Sequence, residues 1–242
     1  MQLYLVRHGQ SENNLLWDST SSSVGRHEDP ALTEIGRKQA EHVAKFFSQP
    51  FVPAAAFALQ VQNRNGFGIT HIYASLMDRA VATGSYISRA LGLPLLAWED
   101  LHEGGGIYLE NEATGEREGR PGKHRAYFRE NYPELVLAAD AHEAGWWNRP
   151  YESKSDLAAR ARRVYDDLLT RHGATDDRVI AITHGEFYTY LIGAMFSLPP
   201  PVEGRYWFSL NNTAVTRVDF RDGHVVPVYM NRADFLPTEL LT

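Results

Sequence analysis

Short apolar runs alternate along the chain with longer segments whose apolar residues recur at helical spacing. The runs at residues 2–6, 70–74, 95–98 and 178–183 are rich in β-branched, leucine or aromatic residues. Such runs are typical of strands that are buried on both faces of a sheet. We therefore predict four strands that belong to one central sheet.

Helices are predicted between and after these strands. They cover residues 33–47, 76–91, 155–172 and 186–196. Thr33 is the predicted N-cap of the first of these helices, and Ser75 is the predicted N-cap of the second.

The C-terminal part predicts three more strands. They cover residues 205–210, 214–220 and 224–230, with Asp222-Gly223 as a hairpin turn between the last two. Strands that alternate with helices are typical of the α/β class. We expect a single domain with a mainly parallel central sheet, helices on both of its faces, and an antiparallel C-terminal hairpin.

Two segments lack clear periodicity. Residues 48–69 contain two prolines, an alanine cluster and an Asn/Gly run, and they are predicted to form a surface excursion. Residues 99–152 are glycine-rich, charged and aromatic. A segment of this length inside a compact domain is typical of a lid or a binding insertion.

Composition and charge limit the number of domains, the molecules that the protein can bind and the chemistry that it can use. The 242 residues, 43% of them hydrophobic, suffice for the core of one domain. The net charge of −6 and the interspersed charges of both signs argue against binding to nucleic acid or to an anionic membrane. The absence of cysteine excludes disulfides and thiolate chemistry. The first residues do not have the pattern of a signal peptide, so the expected location is the cytoplasm.

Four short segments contain side chains that can act as nucleophile, acid, base or charged hydrogen-bond donor. They cover residues 7–14, 74–84, 101–105 and 182–186. Three of them directly follow a predicted strand. Because the carboxyl ends of parallel strands lie at one edge of a sheet, residues that are distant in sequence would meet in a pocket at that edge.

Phosphoryl transfer is the chemistry that fits these segments. A phosphoryl group in transit spreads negative charge over three oxygens, so its site needs several fixed donors around one nucleophile. Arg7 and Arg79 offer forked, permanently charged donors. His8 can attack phosphorus if one ring nitrogen is free and the other donates to a backbone carbonyl. Glu103 can protonate the leaving alkoxide and later take a proton from water.

The same residues occur in the order of a known family. They are Arg7-His8-Gly9 with Ser11 and Asn14, Asp29-Pro30-Ala31-Leu32-Thr33 with Gly36 and Gln39-Ala40, Ser75 with Arg79-Ala80 and Thr83, and Thr183-His184-Gly185. In this combination the chain resembles the phosphoglycerate-mutase-like branch of the histidine phosphatases. The resemblance covers most of the chain, except residues 48–69 and much of 104–152.

The resemblance implies a phosphatase that forms a phosphohistidine. It implies the catalytic residues His8, Glu103 and His184 and the substrate-binding residues Arg7, Asn14 and Arg79. His8 would carry the phosphoryl group, and Glu103 would be the acid and base. No metal and no cofactor are implied.

Two other functions stay open. A phosphoglycerate mutase would return the phosphoryl group to another hydroxyl. The family's glycolytic mutases carry Arg-His-Tyr-Gly after the acidic residue, whereas this chain has Gly104-Gly105-Gly106-Ile107, and the missing cations favour hydrolysis. A non-catalytic module that binds phosphorylated ligands is disfavoured, because His8, both arginines and His184 are all present.

The substrate is also open. Residues 116–129 are rich in Arg and Lys, and they either bind a second acidic group of the substrate or form a solvated loop. The expected partner is a small phosphorylated molecule: a sugar phosphate, a nucleotide or a phosphorylated cofactor precursor. A homodimer is among the assemblies that the sequence leaves open.

Overall fold

The computed structural model describes residues 1–53, 56–138 and 142–242. The strands in these ranges are β1 (Gln2–Arg7), β2 (His71–Ala74), β3 (Leu95–Ala97), β4 (Tyr108–Glu110), β5 (Arg117–Gly119), β6 (Leu135–Val136), β7 (Arg178–Thr183), β8 (Val215–Arg221) and β9 (His224–Arg232). The α-helices are α1 (Glu12–Thr20), α2 (Glu34–Phe47), α3 (Phe57–Val61), α4 (Asp78–Leu91), α5 (Arg125–Asn131), α6 (Lys154–His172), α7 (Gly185–Met195) and α8 (Pro201–Gly204).

The main sheet has the strand order β6-β3-β2-β7-β1-β8-β9. The first five strands in this order are parallel, and β8 and β9 are antiparallel to their neighbours. The turn between β8 and β9 is Asp222-Gly223, as predicted, and both residues have positive φ. The predicted α/β fold with a mainly parallel sheet and an antiparallel C-terminal hairpin is therefore confirmed.

Helices cover both faces of the sheet because its central strands are apolar on both. In β1, Tyr4 and Val6 pack into the cluster formed with α2 and α4, whereas Leu3 and Leu5 pack into the cluster formed with α6 and α7. Successive side chains of a strand point to opposite faces, so one short run supplies both cores.

The two predicted helix caps have different outcomes. Thr33 is the N-cap of α2, and its hydroxyl accepts a hydrogen bond of 3.0 Å from the Gly36 N–H. The prediction for Ser75 is wrong, because α4 begins at Asp78 with Met77 at the N-cap position. The Ser75 hydroxyl instead accepts from the Met77 N–H at 3.2 Å, within the turn that leads into the helix.

The predicted strand at 205–210 is wrong. Arg205 has a φ of 51°, and the Phe208 ring packs against Tyr188 of α7.

The segment 48–69, predicted as a surface excursion, is mostly exposed in its described residues before 63. It is anchored in the core near its end, because Phe67 is buried among the rings of Tyr4 and neighbouring phenylalanines.

The segment 99–152 contains short elements in its described part. A 3-10 turn covers Glu99–Leu101, β4 and β5 pair as a separate antiparallel hairpin, and α5 and β6 follow. Among the described residues, no helix combines the length and the apolar character that crossing a membrane requires.

Candidate active site

The predicted site residues meet at the carboxyl edge of the parallel strands. Arg7 is the last residue of β1 and pairs in register with Thr183, the last residue of β7. His8 and His184 follow these two strands directly, and their ring centroids are 5.0 Å apart. This edge of the sheet therefore places two histidines and an arginine in one buried cluster.

His8 has a defined tautomer. Its Nδ1 lies 2.7 Å from the Gly9 carbonyl oxygen, and its Nε2 accepts a hydrogen bond of 3.1 Å from Nε of Arg79. A carbonyl oxygen only accepts, so the proton is on Nδ1, and Nε2 is unprotonated with its lone pair accepting the hydrogen bond from Arg79. The pKa of His8 lies well below its usual value because the ring is buried and because Arg79 and Arg7 are close.

Two buried nitrogen atoms beside His8 have no hydrogen-bond partner in the described part of the chain. They are Nε of Arg7 and Nδ1 of His184. Arg7 is held in place by its Nη1, which donates to the Leu210 carbonyl, and His184 by its Nε2, which lies 2.9 Å from the Ser75 hydroxyl. Unpaired buried polar groups are costly, so their presence here calls for a ligand with acceptor oxygens.

Glu103 lies at the N-terminus of α7. Its carboxylate accepts hydrogen bonds from the backbone N–H groups of Gly104, Glu186 and Phe187, at 2.9, 3.2 and 2.9 Å. The cap residue of this helix, His184, makes no side-chain cap itself, so Glu103 satisfies the free N–H groups of the first turn. Its charge partly offsets the fall in the pKa of Arg7 that burial causes.

A buried ion pair holds the loop that carries Glu103. Nε and Nη2 of Arg160, in α6, each donate a hydrogen bond of 2.7 Å to one oxygen of the Glu152 carboxylate. Its Nη1 also donates to the carbonyls of Asp100 and His102, at 2.6 and 2.9 Å. No local pattern in the sequence marks this pair, because the partners are eight residues apart and the carbonyls that Arg160 binds lie 60 and 58 residues before it.

Asn14 contributes less directly than the other predicted residues. Its Oδ1 accepts from the Ser11 N–H at 3.1 Å, within the N-terminal capping box of α1. Asn212, which the sequence did not single out, donates from Nδ2 to the His8 carbonyl at 3.0 Å and to Asn14 Oδ1 at 3.3 Å. No local pattern marks Asn212, because its role depends on a contact across most of the chain.

Asp29 lies behind Arg79. Its Oδ1 accepts from the Asp78 N–H at 3.0 Å and is 3.9 Å from Nη1 of Arg79. Burial raises the pKa of Asp29 to about 7, and Arg79 opposes that shift. The Asp78 carboxylate in turn accepts 2.8 Å hydrogen bonds from the hydroxyls of Tyr127 and Tyr132, which connect α5 and the turn after it to the start of α4.

Much of the basic segment 116–129 is engaged in contacts of its own. Arg117 pairs with Glu110 at 2.7 Å, and Arg125 is buried with its Nη1 donating to the Ala138 carbonyl at 2.9 Å. Lys123 lies over the Tyr127 ring, at 4.6 Å from its centroid, and is close enough to help lower the pKa of Asp29.

Comparison with known families agrees with this geometry. Residues 3–233 match the histidine phosphatase superfamily, branch 1. The chain belongs to this superfamily. The match spans the strands and loops that carry His8, Arg79 and His184, and the resemblance inferred from the sequence is therefore confirmed.

Curated relatives of this chain carry a more specific name. The probable phosphoglycerate mutase GpmB of Erwinia tasmaniensis is 27% identical over 219 residues, which cover 90% of this chain and 85% of the relative. The protein of the same name from Photorhabdus laumondii is 27% identical over 221 residues, with coverage of 91% and 86%.

Solved structures share the fold at lower identity. A phosphoserine phosphatase mutant from Entamoeba histolytica, in complex with phosphoserine, superposes with a TM-score of 0.58 at 22% identity, covering 98% of this chain and 99% of that one. A mycobacterial glucosyl-3-phosphoglycerate phosphatase gives a TM-score of 0.59 at 21% identity, with coverage of 96% and 99%.

Proposed function

We propose that this protein is a phosphatase that hydrolyses a small phosphomonoester through a phosphohistidine at His8. The observation that carries the proposal is the set of groups around this ring. Nε2 of His8 is unprotonated and accepts from Nε of Arg79, a donor for which a phosphoryl oxygen would take over as acceptor. Nε of Arg7 and Nδ1 of His184 are buried without a partner among the described residues. A phosphoryl group would give the two donors the acceptors they lack and would give the lone pair an electrophile.

In the first step, Nε2 of His8 attacks phosphorus and the bond from phosphorus to the ester oxygen breaks. The electron pair of that bond goes to the leaving oxygen, which takes a proton from the carboxylic acid form of Glu103. In the second step, Glu103 takes a proton from water while the water oxygen attacks phosphorus. The phosphorus–nitrogen bond breaks, phosphate leaves, and Nε2 regains its lone pair.

Two groups would bind the phosphoryl oxygens in these steps: His184, oriented by the Ser75 hydroxyl, and Arg7, oriented by the Leu210 carbonyl. A phosphoryl oxygen only accepts, so His184 binds it through Nδ1–H. That tautomer requires the Ser75 hydroxyl to donate to Nε2 of His184, which the 2.9 Å contact allows. The Leu210 carbonyl, which accepts from Nη1 of Arg7, keeps the Arg7 fork directed toward the same site.

The loop after Glu103 supports hydrolysis over mutase activity. Gly105 and Gly106 have φ of 85° and 76°, a region that side chains other than glycine rarely adopt. A Cβ on Gly106 would collide with the Trp147 ring, and one on Gly105 with the ring of Tyr151. A Cβ on Gly104, which corresponds to the mutases' arginine, would meet the Glu186 carboxylate and Leu157, so neighbouring side chains occupy the space that larger residues in this loop would need. The names of the curated relatives keep the mutase as the second candidate.

We further propose that the segment 99–152 acts as a lid that selects the substrate. Its helix α5 is tied to the catalytic region through the Tyr127 and Tyr132 hydroxyls on Asp78. The cytoplasmic location and a homodimer stay predictions.

Product analysis distinguishes the candidate functions. We expect the purified enzyme to release inorganic phosphate from p-nitrophenyl phosphate, phosphoserine and 3-phosphoglycerate, and not to convert 3- into 2-phosphoglycerate. His8→Ala should abolish turnover without unfolding the protein, whereas the matched variant His224→Ala, at an exposed position in β9, should keep full activity. Net formation of 2-phosphoglycerate would establish the mutase, and binding of phosphorylated ligands without turnover would establish the binding module.

A further inference from the structure

A second cluster of ligating side chains lies at the opposite edge of the sheet from His8. His71 begins β2, His172 ends α6, and Asp177 directly precedes β7. One potential ligand atom from each of the three lies within 4.8 Å of the others. Since His71 pairs in register with Val179 and His184 lies five residues further along, roughly 17 Å of strand separates the cluster from the catalytic edge.

The two imidazoles converge on one carboxylate. Nδ1 of His172 is 2.9 Å from Oδ2 of Asp177, and Nδ1 of His71 is 3.8 Å from Oδ1 of the same residue. The histidine ring centroids are 4.8 Å apart, with 58° between the ring planes. Nδ1 of His71 also lies 2.9 Å from the Thr70 hydroxyl, a contact that a metal ion bound at this nitrogen would replace.

The surroundings suit a cation. The two oxygens of the Asp177 carboxylate face the two imidazoles, Oδ1 toward His71 and Oδ2 toward His172. His172 is buried, whereas the side chains of His71 and Asp177 are 36% and 24% exposed, which leaves a path from solvent. A metal site requires such an entry path.

Tyr73 supplies the partner that a metal-bound His172 needs. Its hydroxyl lies 3.1 Å from Nε2 of His172. When Nδ1 coordinates a metal, the proton moves to Nε2, and the tyrosine oxygen can accept a hydrogen bond from this N–H. Histidine ligands nearly always donate their second ring N–H to such an acceptor, which fixes the tautomer and the ring orientation.

We propose that His71, His172 and Asp177 bind a divalent transition-metal ion, with Zn²⁺ as the ion that fits them best. Two imidazoles and one carboxylate match the ligand preference of Zn²⁺, and water completes its tetrahedral shell. The ion would link the first residue of β2, the last residue of α6 and the residue that precedes β7. It stabilises the fold at this edge and takes no part in phosphoryl transfer at His8.

Direct binding measurements test the site. Protein without a histidine tag is treated with a chelator, transferred to phosphate-free buffer and titrated with Zn²⁺ by calorimetry, and with Co²⁺ while its ligand-field absorption is recorded. We expect saturable binding of a single ion per chain and a rise in melting temperature with Zn²⁺. Absence of both signals in the unmodified protein would overturn the proposal.

Variants locate the bound ion. His71→Gln, His172→Gln and Asp177→Asn should each abolish the Co²⁺ spectrum, and Tyr73→Phe, which keeps all three ligands, should weaken binding by about 10- to 100-fold. The control is His224→Gln, which removes an exposed imidazole from the start of β9 and should leave binding unchanged. Unchanged turnover of p-nitrophenyl phosphate verifies that each variant is folded. Binding that survives in folded His71→Gln and Asp177→Asn proteins would refute this site.

Discussion

Nε of Arg79 donates a hydrogen bond of 3.1 Å to Nε2 of His8. The contact places a permanent cation against the nitrogen that is proposed as the nucleophile. Together with burial and Arg7, it lowers the pKa of His8, which keeps the ring neutral and Nε2 unprotonated at physiological pH. The guanidinium is itself buried, so its geometry is fixed before a substrate arrives.

Arg79→Lys should separate the charge of this residue from its geometry. Lysine keeps the positive charge but offers a single ammonium group in place of a planar fork. We expect kcat to fall by about 10²- to 10³-fold, the usual loss when one fixed donor to a transition state is removed. Rapid-quench measurement of phosphoenzyme formation checks this expectation. A loss of less than about 10-fold would show that charge alone suffices.

Asp29 should give the enzyme a pH dependence near neutrality. Its pKa is about 7, so the carboxyl group is mostly neutral below that pH and ionised above it. Ionised Asp29, 3.9 Å from Arg79, competes with the substrate for the guanidinium. We therefore expect kcat/KM to decline as the pH rises through about 7.

Asp29→Asn provides the comparison for that decline. The amide oxygen can still accept the Asp78 N–H, but the side chain cannot ionise. The ratio of kcat/KM between the unmodified enzyme and Asp29→Asn should be close to 1 at low pH and fall above pH 7. The ionisation of the substrate phosphate affects both enzymes equally, so it cancels in this ratio. A ratio that is constant with pH would mean that Asp29 does not control Arg79.

The parts of the fold that depend on local pattern were predictable from the sequence. The strands β1 and β7 and the helices α2 and α6 follow from apolar spacing and caps. The predicted strand at 205–210 was wrong although Tyr206, Phe208 and Leu210 alternate as in a strand. Two of these rings pack on each other, with centroids 5.7 Å apart, and Phe208 also packs against α7, so packing with a helix replaced pairing with a strand.

The candidate site was predictable only where a residue follows a strand or belongs to a motif. His8 and His184 meet both conditions, and Arg79 belongs to a motif but lies in the first turn of α4. Ser75 was named for the wrong reason, because its hydroxyl contacts His184 and does not cap α4. Asn212 has no local signal, since its position beside the His8 carbonyl arises from tertiary structure.

The buried pair of Arg160 and Glu152 should control Glu103 from a distance. Arg160→Met leaves the Glu152 carboxylate buried and unpaired, which should lower the free energy of unfolding by about 3–5 kcal/mol. The carbonyls of Asp100 and His102 lose their donor, so the Glu103 loop loosens.

We expect Arg160→Met to lower the turnover rate more with alkyl phosphates than with aryl phosphates. Aryl leaving groups need little protonation and therefore depend less on a well-placed Glu103 in the first step. Urea titration and kinetics on both ester types check the two parts of the prediction. Equal losses for both esters in a folded protein would mean that the pair acts on stability alone.

Chelators should leave the phosphatase rate unchanged. The positive charge around the proposed nucleophile comes from Arg7 and Arg79, and the proposed Zn²⁺ ligands lie at the other edge of the sheet. Treatment with EDTA should therefore lower the melting temperature without lowering kcat at a temperature where the protein stays folded. Loss of activity that a divalent ion restores would place a metal in the reaction.

Glu103→Gln tests the two proposed duties of this residue separately. The variant keeps one acceptor oxygen but turns an amide toward backbone N–H donors at the start of α7, so we expect a loss of about 1 kcal/mol in stability. With an alkyl phosphate the first step should be slow, because an unprotonated alkoxide is a poor leaving group. With p-nitrophenyl phosphate the first step should survive and the second should stall. Stopped-flow absorbance should then record a burst of nitrophenolate, and acid-labile phosphate should accumulate on His8. If both ester types slow equally and no phosphoenzyme can be trapped, Glu103 is not the acid and base.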